Sequence, residues 1–168
     1  MSAKVKTELT AERLRELLSY DPATGQFIRK ATSRTDQIGS VAYTAHTSGY
    51  SRFSVGHKKY YAHRLAWMYV YGVWPGGDVD HINHDKTDNR ISNLRDVSRS
   101  VNNQNQIRGQ RGGSSNVLGV SWDKRLKKWA ASIGVFKKNI HLGMFDAKED
   151  AHAAYVIAKR ELHIGCTI

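Results

Sequence analysis

Residues 79–102 concentrate the side chains best suited to chemistry. Asp80 and His81 stand together, followed by Asn83, His84, Asp85, Asp88, Asn89, Arg90 and Asn93, with Asn102 a little further on. The carboxylate of Asp80 and the amide oxygen of Asn102 are hard donors suited to a divalent cation whose remaining ligands are water and substrate oxygens. An imidazole that titrates near neutrality, such as His81, can take the proton from an attacking water. Water attacking a phosphodiester builds negative charge on the phosphoryl and leaving oxygens, and such a cation can stabilise that charge. Blander readings use the same residues. Asp85, Asp88, Asn89 and Asn93 alone make a polar surface turn. Zinc on His81 and His84 lacks an accompanying thiolate, because Cys166 is the chain's only cysteine.

The elements needed to position these groups are short. Residues 79–82 read as a strand, 83–93 as a polar loop, 94–97 as a second strand, and Ser98 as the cap of a helix carrying Asn102. On an ideal pleat Asp80 and His81 point to opposite faces, so a shared site would need a twist or bulge there.

The pattern D-H-I-N-x-D-K-x-D-N-R-x-x-N-L followed by S-x-x-x-N resembles the HNH endonuclease family, in its phage and intron-associated branch. That resemblance implies a ββα-metal unit that cuts DNA. It implies His81 as general base, Asn93 as the residue that braces the loop and orients the histidine, and Asp80 and Asn102 as ligands of one divalent cation, Mg2+ or Mn2+. His84 stands where many relatives carry Gly, which a tight turn tolerates more readily. The full set Asp80, His81, Asn93 and Asn102 favours an intact nuclease over a scaffold with dead chemistry.

The whole chain suits that expectation. It has 168 residues and a net charge of +11, which fits a polyanionic partner, most simply double-stranded DNA. No apolar run approaches membrane-spanning length and the first residues lack a secretion-signal core, so a soluble cytoplasmic protein of a bacterial host cell, encoded by a phage or mobile element, is expected. Residues 8–20 read as a helix with Thr10 as N-cap and Leu14, Leu17 and Leu18 as its stripe, ahead of a turn at 21–25 and a strand at 26–29. The pattern L-x-Y-D-P-x-T-G-x-F there is similar to the leader of phage HNH proteins. Residues 49–62 read as a hairpin turning at 56–58, and 63–71 as a helix closed by Gly72, with Leu65, Met68 and Val70 in the core. Arg52, Lys58, Lys59 and Arg64 are candidates for phosphate contact; His63 reads as structural. Residues 107–116, Gly- and Ser-rich with Arg108 and Arg111, read as a linker that tracks DNA phosphates.

Beyond it, residues 117–122, 128–135 and 139–145 read as three antiparallel strands. Asp123 opens the first turn, and Trp129, Ala131 and Ile133, with Ile140 and Leu142, form the apolar face. Asp146 and Glu149 have the spacing of a capping box, and the helix then runs to about Leu162 with Ala147, Ala151, Ala154, Tyr155 and Ala158 on one side. The motifs G-V-x-W, K-W-x-A-x-I, H-L-G-x-F-D and A-x-x-A-Y resemble the AP2 DNA-binding domain, in which the exposed sheet face enters the major groove. That resemblance places Ser121, Arg125, Ser132, Asn139 and His141 toward DNA. The basic residues Lys124, Lys127, Lys128, Lys137 and Lys138 suit phosphate contacts.

The expected fold is α+β: an N-terminal helix and β region (1–62), a ββα-metal module (63–106), the linker (107–116), and a three-stranded sheet backed by one helix (117–168). The expected function is a homing-type, metal-dependent DNA endonuclease that nicks one strand as a monomer or weak dimer. The rival is a catalytically silent DNA-binding regulator.

Overall fold

The computed structural model describes residues 9–31, 34–55, 58–107 and 115–167. The chain divides into two compact units, Met1–Ser98 and Arg99–Ile168.

In the first unit, helix α1 (Ala11–Leu17) starts at Thr10, whose hydroxyl accepts from the Arg13 amide at 3.2 Å. The helix is shorter than its leucine spacing suggests. Leu18–Asp21 is a strand, β1, paired antiparallel with β2 (Gln26–Arg29). The reason is a change of period: Leu18 and Tyr20 are buried while Ser19 and Asp21 are exposed, an alternation only a strand can satisfy. In the connecting turn the Asp21 carboxylate accepts from the Ala23 amide (2.9 Å) and the Thr24 hydroxyl (2.7 Å), which holds its pKa below the usual carboxylate range.

Strands β3 (Thr44–Ala45), β4 (Ser51–Val55) and β5 (Lys58–Tyr61) form an antiparallel sheet in that order. Gly56 and His57 of the expected turn lie outside the described residues. Helix α2 (Ala62–Tyr71) follows at once and ends at Gly72, whose φ of +80° is the left-handed conformation that glycine adopts without steric cost. Leu65 and Met68 are buried in the core with Leu14, Leu18, Tyr20, Phe27, Val79 and Leu94. Val70, expected beside them, is exposed, because the buried face of α2 is carried by Ala62, His63, Leu65, Ala66 and Met68. The hairpin of β6 (Asp78–His81) and β7 (Leu94–Val97) completes this unit.

The second unit begins with α3 (Arg99–Gln104), which carries Asn102. The division thus precedes the stretch expected as a linker, of which residues 108–114, with Arg108 and Arg111, lie outside the described residues. Contacts around α3 explain its membership: the Gly165 amide donates to Gln104 Oε1 at 3.1 Å, and Lys159 Nζ donates to the Gln106 carbonyl. Strands β8 (Val120–Asp123), β9 (Lys128–Val135) and β10 (Lys138–Phe145) form an antiparallel sheet with β9 central, and α4 (Lys148–Leu162) packs on it through Ala151, Tyr155 and Ala158.

Three details differ from the sequence reading. Residues 117–119 are not strand: Asn116 and Gly119 both take positive φ and turn the chain into β8. A register shift between His141 and Gly143 puts Leu142 at a bulge, where it packs into the core, while Ile140 on the edge strand is exposed. Asp146 does not cap α4; Ala147 holds that position, and Asp146 pairs with Lys128 at 3.2 Å.

Gly119 has a φ of +70°, and a Cβ there would overlap the Tyr155 ring. Gly119→Ala is therefore expected to destabilise the second unit by about 2–4 kcal/mol. Urea unfolding followed by circular dichroism checks this, and a change within about 0.5 kcal/mol would contradict the packing described.

Candidate active site

The β6–β7 ladder sets Asp80 opposite Arg95 and His81 opposite Leu94, and no bulge interrupts it. The two chemically competent residues are nevertheless both buried, at 8% and 4% exposure. Asp80 Oδ2 accepts from Arg95 Nε at 2.9 Å and pairs with its Nη2 at 2.8 Å. Such a charge-assisted pair fixes the Asp80 carboxylate against β7.

The intervening loop is closed by one side chain. Asn93 Oδ1 accepts from the Asn83 amide at 3.0 Å, and Asn93 Nδ2 donates to the Asp88 carbonyl at 2.9 Å. The Asn93 carbonyl accepts from the Ile82 amide at 2.9 Å. Inside this frame Asp85 accepts from the Thr87 amide and hydroxyl, and Asn83 Nδ2 donates to Asp88 at 2.8 Å. Arg90 grips both carboxylate oxygens of Asp88 at 2.8 and 2.6 Å. That guanidinium is the main reason the Asp88 carboxyl falls to about 2. His84 makes the tight turn itself, at φ +63°.

The N-terminal hairpin supports the loop from outside. Tyr20 Oη donates to the Asn89 carbonyl at 2.8 Å, and Gly25 lies so close to Asn89 and Arg90 that a Cβ would overlap their backbone. Asn89 is almost fully buried, at 1% exposure, with Nδ2 donating to the Thr87 carbonyl at 3.0 Å.

His81 lies in a box of rings. His63 meets it edge-on with centroids 5.1 Å apart, and Tyr50 lies at 5.8 Å. Burial lowers the His81 pKa, against the opposing influence of the Asn89 side chain and of Asp80, Asp85 and Asp88. His63, stacked on Tyr61 at 5.3 Å, is pushed down to about 3 by burial first and by His81 second. Both shifts favour the neutral imidazole, the form that can accept a proton from water.

Residues 60–104 match the family model described as HNH endonuclease. The match supports an HNH nuclease and runs from β5 to the end of α3. No curated protein and no solved structure gives a significant match.

The HNH segment contains Asp80, His81, Asn93 and Asn102, of which the first three belong to the first unit and Asn102 to the second. Among the described residues no cluster of three or more His, Cys, Asp or Glu is placed to hold a metal ion. Asp80 carries a carboxylate oxygen and Asn102, in the other unit, an amide oxygen, both of the hard donor type that suits a cation retaining several waters. Of the candidate phosphate contacts, Lys58 and Lys59 are exposed. Arg52 donates to Tyr61 Oη and lies over that ring, while Arg64 Nη1 donates to the Gly77 carbonyl at 3.0 Å and ties α2 to the chain before β6.

In the second unit the strand register puts Ser121, Ser132, Asn139 and His141 on one face, opposite buried Ala131 and Ile133. Lys124, Arg125, Lys127, Lys137 and Lys138 are exposed in or beside the turns, and Lys128 is half-buried against Asp146. Asp123 Oδ1 accepts from the Arg125 and Leu126 amides, as a turn-opening aspartate does.

Sequence reasoning missed Tyr20, Tyr50 and Arg95 as members of this neighbourhood, placed Asn89 in the polar loop without its contacts, and favoured a structural part for His63 over phosphate contact. Arg95 was legible once the two strands were put in register. Tyr20 and Tyr50 carry no local signal, since they reach the loop only through the packing of separate elements.

Two outcomes test the loop. Left-handed φ costs a bulky residue about 1–2 kcal/mol, and glycine loses roughly 0.5–1 kcal/mol more chain entropy on folding. His84→Gly should therefore raise stability, by up to about 1 kcal/mol in urea unfolding. The folded pKa of Asp88 lies below its ordinary 3.8, so its contribution is present above about pH 4 and is lost as pH falls toward 2. Acid titrations of stability should be shallower in Asp88→Asn than in the wild type over that window; equal slopes would exclude the Arg90 pairing as its cause.

Proposed function

We propose that this chain is a metal-dependent DNA endonuclease of the homing type. The observation that carries the reading is the buried His81, whose pKa burial lowers, next to Asp80 at the start of a loop closed by the Asn93 amide, within the matched segment. His81 takes the proton from a water whose oxygen attacks phosphorus, the phosphorus–oxygen bond to the leaving nucleotide breaks, and solvent protonates the departing oxygen. Asn93 holds the loop and so the orientation of the imidazole. Asp80 and Asn102 are the proposed ligands of one Mg2+ or Mn2+; the place of Asn102 rests on its position in the sequence pattern. Such a cation supplies charge stabilisation for the phosphoryl and leaving oxygens when bound.

The second unit is proposed as an AP2-like DNA-binding module. Its face of Ser121, Ser132, Asn139 and His141 would meet base edges, and Lys124, Arg125, Lys127, Lys128, Lys137 and Lys138 the phosphates. Lys58, Lys59, Arg52 and Arg64, with Arg108 and Arg111, are proposed to add backbone contacts. Two tethered binding units raise one another's effective concentration on DNA without new contacts. One HNH centre cuts one strand, so the proposed monomer nicks. Among the described residues no helix is long and apolar enough to cross a membrane.

The test is cleavage of supercoiled plasmid with Mg2+, with chelator and with His81→Ala. Relaxed circles from the wild type, abolished by chelator and reduced at least about a hundredfold by His81→Ala, are expected. Linear product would replace the nicking monomer by a paired enzyme. Salt-sensitive DNA binding without cleavage of any plasmid carrying candidate sites would favour a silent regulator.

A further inference from the structure

The turn between β9 and β10 is built from residues that its geometry disfavours. Val135 pairs with Lys138, leaving Phe136 and Lys137 as a two-residue loop with φ of +47° and +65°. Positive φ at both central positions is the signature of a type I′ turn, for which Asn-Gly is the favoured pair. A bulky aromatic residue there is a steric outlier. Burial does not repay that cost, since Phe136 is 91% exposed, the most exposed large apolar residue among those described.

The hairpin that carries it is non-acidic. Residues 128–145, the whole hairpin, contain no Asp or Glu. Lys137, Lys138, Asn139 and His141 are exposed beside the ring. A single exposed apolar side chain needs no explanation. A strained and unburied phenyl ring at a turn, with ammonium groups directly following it, fits a ligand that offers a flat apolar slot edged by negative charge. A base-pair step of duplex DNA is such a ligand: the gap between stacked bases accepts an apolar wedge, and phosphates border it on both strands.

We propose that Phe136 is a DNA wedge, inserting its ring between adjacent base pairs while Lys137 and Lys138 bind the flanking phosphates. This rests on the reading of the chain as a DNA-binding protein and adds to it a deformation of the duplex. Flexible pyrimidine–purine steps are the cheapest to open, so they would be the preferred points of entry. The strain is tolerated in the free protein because the β9–β10 ladder on either side fixes the turn.

The experiment uses the full chain in chelator, which prevents cutting, and mixed-sequence duplexes carrying 2-aminopurine at pyrimidine–purine steps. Wild type, Phe136→Ala, Phe136→Leu and Phe136→Asn are compared for affinity and for fluorescence at saturation. Saturating wild type should raise the fluorescence of the unstacked base. Phe136→Ala and Phe136→Asn should abolish that rise and bind about tenfold more weakly. Phe136→Leu should keep much of both, because an aliphatic wedge still enters the stack. Urea unfolding of Phe136→Asn should show a fold at least as stable as the wild type, since asparagine accepts left-handed φ; this separates lost binding from lost structure. Affinity within twofold and unchanged fluorescence in the Ala and Asn variants would overturn the wedge. So would a Phe136-dependent loss of binding to anionic phospholipid vesicles with DNA binding intact. If the wild type binds duplex DNA without salt sensitivity or not at all, the DNA-binding reading falls, and the wedge with it.

Discussion

The amide of Asn93 is the constraint on which the candidate site depends. With one oxygen and one NH2 group it joins the two ends of a polar loop, accepting from Asn83 and donating to Asp88. Each bond adds little net stability, since exchange with water leaves about 0.5–1.5 kcal/mol for a neutral hydrogen bond. Their importance is geometric. An eleven-residue-scale loop of Asp, Asn and Thr has almost no apolar area to fix its shape, so side-chain-to-backbone bonds must do so. Those bonds in turn fix His81, which stands at the loop's entrance on β6.

Around that loop the first unit is arranged as layers of support. The β1–β2 hairpin presses Gly25 against Asn89 and Arg90, and Tyr20 donates to Asn89. Helix α2 supplies His63, and the chain before β4 supplies Tyr50, so that His81 is enclosed by rings from separate elements. Enclosure lowers its basicity, against the opposing influence of the Asn89 side chain and of Asp80. The result is a neutral base at physiological pH, held by packing instead of by free rotation.

The second unit uses a different economy. Its core is small, built on Val120, Ala131, Ile133, Ala151, Tyr155 and Ala158, and small residues let α4 approach the sheet closely. Gly119 is required by the same closeness, since Tyr155 fills the space where its side chain would be. The opposite face is left largely polar, and lysine or arginine stands in both turns beside exposed Leu126 and Phe136.

Several features were determined by the sequence alone. The α+β class, Thr10 as a cap, Gly72 as a helix end, the strand at 94–97, the central strand at 128–135 and the end of the last helix near Leu162 follow from local period and turn chemistry, which act over a few residues. The Asp-His-Asn pattern likewise pointed to the segment that the HNH family model matches. Tertiary structure decided the rest. Leu18 and Tyr20 left the helix because a strand partner at 26–29 rewards alternation. Asp146 gave up the cap for Lys128, and Ile140, paired in register with Ile133, is exposed because it stands on the edge strand. The rings around His81 and the hold on Asn89 come from residues well away in sequence, from His63, 18 positions before His81, to Tyr20, 69 before Asn89. Local propensity cannot encode such contacts, because they exist only once separate elements bury a common core.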